Sequence, residues 1–262
     1  MDIKLGGIRA LVCGASQGIG RAAARTLAEQ GASVTLTARN EQALAEVCGD
    51  LAGGEGQQHD WFAADFDQPE ALECLIRERV ADQGPFQILV NNSGGPPGGP
   101  AHTAERDAYT TAFQRHLICN QILLQALLPG MRESGYGRII NIISTSVKEP
   151  IPGLGVSNTV RGAVASWAKT IAHELAPDGI TVNNVLPGFT RTDRLKKLFE
   201  GKAEKTGKDF AQVEAEALTQ VPMGRFGEAE EVAAAIGFLA SPAAAYITGH
   251  SIPVDGGRTR SI

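Results

Sequence analysis

Long apolar runs, paired cysteines and an excess of positive charge are all missing from this chain of 262 residues, and each absence argues against a class of function. No segment approaches the ~18 uninterrupted apolar residues of a membrane span, so a bilayer role is not expected. The start, MDIKLGGIRALVCGAS, has no n-region and h-region followed by a cleavage site. The chain is therefore expected to be cytoplasmic. Cys13, Cys48, Cys74 and Cys119 show no CxxC spacing, which suggests neither a metal site nor a disulfide framework. They read as buried reduced thiols. A formal net charge of -5 gives no electrostatic footprint for nucleic acid or an anionic membrane.

What is present is an ordinary globular composition, 43% hydrophobic and 20% charged, with enough apolar material for a sizeable core. One domain over 1–262 is the default. Short apolar runs bounded by turn residues alternate with segments of helical period. IRALVC (8–13), ASVTLTA (32–38), DWFAAD (60–65), FQILVN (86–91), GRIINIIS (137–144), ITVNNVL (180–186) and SIPVD (251–255) read as strands. Helices are expected near 19–30, 41–52, 69–83, 105–132, 158–176 and 228–240. Such alternation predicts an α/β fold, a doubly wound parallel sheet with helices on both faces, because each parallel crossover needs a covering helix. Nearly continuous apolar strands fit burial on both sides. The charged stretch from Arg191 to Val221 interrupts the alternation and reads as a helical insertion over the sheet.

The first chemical signal is CGASQGIG, where Gly14, Gly18 and Gly20 lie between a strand and a helix. Glycines there allow close approach of a pyrophosphate, which the helix N-terminus then favours. The spacing is GxxxGxG rather than the usual GxGxxG, and a turn serving only strand–helix packing is the alternative. At the end of the second strand the chain reads TARN, with no Asp or Glu at 37–40. A carboxylate there would repel a ribose 2′-phosphate, whereas Arg39, beside Asn40, offers it charge-assisted bonds. NADP(H) is therefore expected in preference to NAD(H), with a solvent-facing arginine as the other reading of Arg39.

Taken together, CGASQGIG, Asp65 after the third strand, VNNSG (90–94), PGFTRTD (187–193), RFGEAEEVA (225–233) and ITGHSIPVDGG (247–257) resemble the motifs of the short-chain dehydrogenase/reductase family. The resemblance is closest to 3-oxoacyl-[acyl-carrier-protein] reductase-like members and covers nearly the whole chain. It implies one Rossmann-type domain with a seven-stranded sheet, assembled as a homotetramer or homodimer, and a nicotinamide cofactor across the carboxyl ends of the strands. It also implies cofactor contacts residue by residue. Gly14, Ser16, Gly18, Ile19 and Gly20 form the glycine turn. Asp65 and Phe66 flank the adenine, and Asn92, Ser93 and Gly94 line the adenosine ribose. Pro187, Gly188, Thr190 and Thr192 face the nicotinamide and its phosphates. The substrate is then a small-molecule carbonyl or alcohol, under a lid near 191–221. Four lysines and one arginine between Asp193 and Lys208 suit an acidic substrate or a phosphopantetheine carrier, or else form a solvated helix face.

The family's catalytic helix carries YxxxK, and here SNTVR stands in that place, with Ser157 for the tyrosine and Arg161 for the lysine. Their i, i+4 spacing keeps both on one helix face. Ser144 matches the catalytic serine, and His116 in FQRHLIC matches the family's asparagine. A serine hydroxyl is far less acidic than tyrosine's ~10 and cannot take over its acid role. Arg161 stays protonated, yet its fork suits the nicotinamide ribose hydroxyls and a substrate oxyanion. His116, titrating near neutrality, is the expected proton source, through water, while Ser144 and Arg161 polarise the carbonyl. A structural histidine is the alternative. Lys148 and Glu149 are fallback candidates, and Tyr109, Tyr136 and Tyr246 lie outside the catalytic helix. The segment GGPPGGP (94–100) reads as a loop at the cofactor edge. Two functions fit: an NADP(H)-dependent oxidoreductase with an atypical centre, or a cofactor-binding protein without dehydrogenase activity, serving as sensor or partner subunit. Elimination or isomerisation chemistry on the same scaffold is a third.

Overall fold

All seven apolar runs form strands. In the computed structural model, which describes residues 1–261, they are β1 (Arg9–Cys13), β2 (Ser33–Ala38), β3 (Asp60–Ala63), β4 (Ile88–Asn91), β5 (Gly137–Ile142), β6 (Ile180–Pro187) and β7 (Ser251–Val254). Every pairing is parallel, in the order β3-β2-β1-β4-β5-β6-β7. The helices are α1 (Gly18–Glu29), α2 (Glu41–Gly49), α3 (Pro69–Gln83), α4 (Arg106–Phe113), α5 (Cys119–Ser134), α6 (Gly155–Leu175), α7 (Asp193–Thr206), α8 (Phe210–Leu218) and α9 (Ala229–Ala240). Side-chain alternation along β1 sends Ala10 and Val12 to one face, into a core with Leu27, Val232 and Ile236. Leu11 and Cys13 go to the other, with Leu123, Leu127 and Ile171. The chain winds from β1 out to β3 and returns to β4 beside β1. That reversal opens a crevice at the carboxyl ends of β1 and β4.

Three features differ from the sequence expectation. The helix expected over 105–132 is divided by a π-type turn at Gln114–Ile118. Contacts from the loop after β3 hold it: Arg115 Nε donates to Asp67 Oδ1 at 2.7 Å, Gln114 Nε2 to the Asp67 carbonyl at 3.3 Å, and Cys119 Sγ to the Phe66 carbonyl at 3.3 Å. The widened turn carries His116 inward, to 4% exposure. Second, only Cys13 and Cys119 are buried; α2 leaves Cys48 half-buried and α3 turns Cys74 to solvent. Burial pushes the Cys119 thiol up to about 12 and the Cys13 thiol up as well, so both stay protonated. Third, the 191–221 segment is more than a charged insertion. Its α7 and α8 enclose their own apolar cluster of Phe199, Val213, Ala217, Val221 and Phe226. Phe189 meets Phe199 and Phe226 edge-on, with ring centroids 5.8 and 5.7 Å apart.

A buried polar ladder crosses the sheet below the crevice. Asn91, Asn141, Asn184 and Ser251 occupy paired register positions on β4, β5, β6 and β7. Asn91 Nδ2 donates to Asn141 Oδ1 at 2.8 Å, Asn141 Nδ2 to Asn184 Oδ1 at 3.0 Å, and Asn184 Nδ2 to Ser251 Oγ at 3.0 Å. Each amide satisfies its neighbour, so removing the central one strands two buried groups. Asn141→Leu is expected to lower unfolding stability by about 2–4 kcal/mol in urea titrations. A loss below about 0.5 kcal/mol would mean that the ladder contributes little.

Candidate active site

The crevice is built first by backbone. A Cβ on Gly14, at φ +60, would stand 2.7 Å from Asn92 Nδ2, and one on Gly20 would stand 2.2 Å from the Gly14 carbonyl oxygen. Glycine is what lets β1, α1 and the Asn92 strand end meet this closely. Asn92 Nδ2 locks the turn by donating to the Cys13 and Gly14 carbonyls, 3.3 Å each. Ser16 lies half-buried on the turn, and Ile19 packs onto the core beneath. No side chain caps α1, and its first turn carries no acid. Its leading N–H groups and positive end therefore favour an anion.

The remaining expected contacts sit around this turn. Arg39 and Asn40 are exposed at the end of β2. Among the described residues Arg39 has no ion-pair partner, while Asn40 Oδ1 already caps α2 by accepting from Ala43 N at 3.1 Å. Asp65 is exposed, and its Oδ1 accepts from Asp67 N at 3.1 Å. Phe66 is only 8% exposed and its ring belongs to the core, so what it offers the crevice is backbone. Ser93 and Gly94 follow Asn92 directly, Gly94 exposed. Pro187 ends β6, and Gly188 N donates to the Val254 carbonyl at 3.0 Å. Thr190 is buried, and Thr192 caps α7 by accepting from Leu195 N at 3.3 Å. The Thr192 methyl lies 3.2 Å from where a Gly18 Cβ would be. The start of α7 thus rests on the glycine turn.

On the opposite wall, Ser144 follows β5, and its Oγ accepts from Ser146 N at 3.1 Å, leaving its proton free to donate. Arg161 enters from α6 and donates through Nη1 to the Ile142 carbonyl at 2.6 Å. His116 Nδ1 lies 2.7 Å from Ser93 Oγ. Arg161 Nε, His116 Nε2 and Asn91 Oδ1 are enclosed without a partner, and their side chains line one polar cavity of about 10 Å³ with Asn120 and Asn141. That size and lining suit a single water molecule. Ser157 is half-buried on the same helix, one turn before Arg161.

Electrostatics sharpens these roles. Desolvation, then the neighbouring Arg194, lowers Arg161 to about 10, which leaves it charged at neutral pH. Desolvation first, then Arg161, Arg115 and Arg194, pushes His116 down to about 2. The expected titration near neutrality does not hold, and the ring is neutral. It passes a proton only by taking one at one nitrogen while releasing another. The tyrosine hydroxyls of Tyr109 and Tyr136 donate to the Ala101 and Ala240 carbonyls, at 3.2 and 2.6 Å, and Tyr246 is fully exposed. Lys148 is exposed, and Glu149 Oε1 accepts from the Arg260 and Ser261 N–H groups at 2.6 and 2.7 Å, fastening the tail. The 94–100 segment is a loop pinned on two sides. Gly99 N donates to the Gly153 carbonyl at 2.7 Å, and Arg194 Nη2 donates to the Pro96 carbonyl at 2.8 Å. Sequence reasoning missed Asn91, Asn120, Asn141 and the singular position of Arg194. The asparagines within the largely apolar runs of β4, β5 and β6 were the available signal for the ladder.

Fold and crevice place the chain among doubly wound α/β proteins with a dinucleotide-type glycine turn at the switch point. The family model described as Enoyl-(Acyl carrier protein) reductase matches residues 14–259, and the chain belongs to that family, within the short-chain dehydrogenases/reductases. It is 37% identical to the 3-oxoacyl-[acyl-carrier-protein] reductase FabG of Vibrio cholerae over 257 residues, covering 97% of this chain and 98% of the relative. It is 33% identical to the NADPH-dependent reductase BacG of Bacillus subtilis, with the same coverage. Among solved structures, L-sorbose reductase from Gluconobacter frateurii, complexed with NADPH and L-sorbose, superposes with a TM-score of 0.92 at 29% identity over 100% of both chains. YwfH, an NADPH-dependent reductase involved in bacilysin biosynthesis, gives 0.91 at 32%, covering 97% of this chain and 99% of its own.

Proposed function

We propose that the chain is an NADP(H)-dependent oxidoreductase that moves a hydride between nicotinamide and a carbonyl or secondary alcohol through an atypical catalytic cluster. The observation that carries this reading is that Asn92, which locks the glycine turn, lines one polar cavity with Ser93, His116 and Arg161. When bound, the nicotinamide supplies or accepts the hydride. The α1 N-terminus holds the pyrophosphate, Arg39 the 2′-phosphate, Asn92 to Gly94 the adenosine ribose, and Pro187 to Thr192 the nicotinamide side. Arg161 holds the nicotinamide ribose hydroxyls and donates an N–H to the substrate oxygen where negative charge develops, joined there by the Ser144 hydroxyl. In the reducing direction that oxygen takes one proton, relayed from solvent through neutral His116 and its partner Ser93. Ser157 lines the face without supplying the acid. Exposed Phe113 (41%) and Ile118 (38%), in an apolar groove with Tyr109, Val160 and Ala163, support self-association as a dimer or tetramer.

The test is NADPH oxidation against a panel of ketones and 3-oxoacyl thioesters, with cofactor saturation followed by fluorescence in the same samples. Turnover on a carbonyl is expected. Saturated cofactor with no turnover across the panel would favour a binding protein instead. Arg39→Asp is expected to weaken NADPH binding by about 30- to 100-fold and NADH binding only a few-fold. Equal losses would remove Arg39 from the 2′-phosphate.

A further inference from the structure

We infer that Arg194 and Arg161 together form a carboxylate site, and that the substrate is a short oxo acid whose carboxylate lies next to the reacting carbonyl. The inference rests on the oxidoreductase reading above and adds the substrate's chemical class.

The geometry comes from three elements. Arg194 is the second residue of α7, on the lid side, and Arg161 belongs to α6. Both terminal Nη2 atoms converge on Gly95: a Cβ built there would lie 3.3 Å from that of Arg194 and 3.7 Å from that of Arg161. A side chain at 95 would therefore begin in contact with both guanidinium groups. Among the described residues neither guanidinium has a carboxylate within ion-pair distance. Among the described residues, the Arg194 and Arg161 side chains donate to the Pro96 and Ile142 carbonyls, through one nitrogen each. Two cations converging without a counter-ion repel one another, and the positive end of α7 adds to the imbalance.

An anion between the forks offsets that repulsion. A carboxylate fits because it is planar and offers one oxygen edge to Arg194, while Arg161 keeps an N–H for the adjacent carbonyl oxygen. The cofactor pyrophosphate is the competing anion. Thr192, however, which caps α7, touches the glycine turn at Gly18, while Arg194 turns the other way, to Gly95 and the Arg161 helix. The site thus belongs to the reacting side of the crevice. Within the charged run after Asp193, Arg194 is the residue whose guanidinium meets Arg161. Of the others, Lys196 pairs with Glu200 and Lys208 with Glu216, while Lys205 Nζ donates to the Gly98 carbonyl at 3.4 Å, farther along the same loop and away from Arg161.

The experiment compares 2-oxobutanoate and 3-oxobutanoate with their methyl esters on the wild-type protein, R194M and R194K. It reads both NADPH oxidation and ligand-induced change in the fluorescence of the protein–NADPH complex. The wild type is expected to prefer an acid over its ester, and R194M to lose about 30- to 100-fold of that preference while binding NADPH as before. R194K should lie between them, because a charge without the fork is retained. Equal binding of acid and ester by the wild type would overturn the inference. So would R194M losing NADPH affinity while keeping the acid preference, which would assign Arg194 to the pyrophosphate. Acid-selective binding without turnover would uphold the carboxylate site and count against the catalytic reading alone.

Discussion

Arg161→Ala is expected to lower kcat/KM on any carbonyl substrate by about 100- to 1,000-fold, with circular dichroism unchanged. The size follows from position. Arg161 is the charged donor between the end of β5 and the crevice, anchored by Nη1 on the Ile142 carbonyl, with its charge intact at neutral pH. A donor aimed where an oxyanion forms contributes more in such an enclosed site than in water. Arg161→Lys should recover part of the loss, because ammonium retains the charge but not the fork. Because the same side chain is assigned to the ribose hydroxyls, NADPH binding in Arg161→Ala should weaken by about ten-fold. A drop in kcat/KM smaller than ten-fold would remove Arg161 from the reaction.

The second large effect is on acid stability. His116 is held neutral in the fold, its pKa lowered to about 2, whereas an unfolded histidine takes a proton near its ordinary value of about 6.5. Below that value the unfolded chain binds a proton that the folded chain does not. The stabilisation is therefore complete above about pH 6.5 and is lost as the pH falls toward the folded value. By about pH 4.5 the loss from this one group reaches about 2–3 kcal/mol. His116→Asn, which cannot titrate, should show a shallower decline between pH 6.5 and 4.5 in urea unfolding at each pH. Parallel curves for the two proteins would contradict the buried neutral ring. The same variant tests the proton relay, since turnover falling less than a few-fold would leave His116 a structural residue.

Much of the architecture could be read from local pattern. Strands such as FQILVN and ITVNNVL announced themselves by apolar runs between turn residues, and a fully buried parallel strand has little freedom to look otherwise. CGASQGIG located the glycine turn because close approach of β1 and α1 permits no Cβ at Gly14 or Gly20. The division of the 105–132 helix could not be read this way. Its cause lies in Asp67 and Phe66, about fifty residues away in the chain, whose contacts to Arg115 and Cys119 hold the π turn open.

The sequence by itself determined the parallel α/β alternation, the glycine turn, the lack of an acid after β2, and the residue types at the proposed catalytic positions Ser144, Ser157, Arg161 and His116. These are properties of periodicity, side-chain volume and chemical identity, all written along the chain. Tertiary structure alone decided the electrostatic state of that set. The depression of His116 requires desolvation and the approach of Arg161 from α6, Arg115 from the π turn between α4 and α5, and Arg194 from α7. The convergence of Arg194 and Arg161 on Gly95 likewise joins residues from α7, α6 and the loop after β4. Charge and burial act through space over a few ångströms, and distance in space is what a linear pattern does not encode.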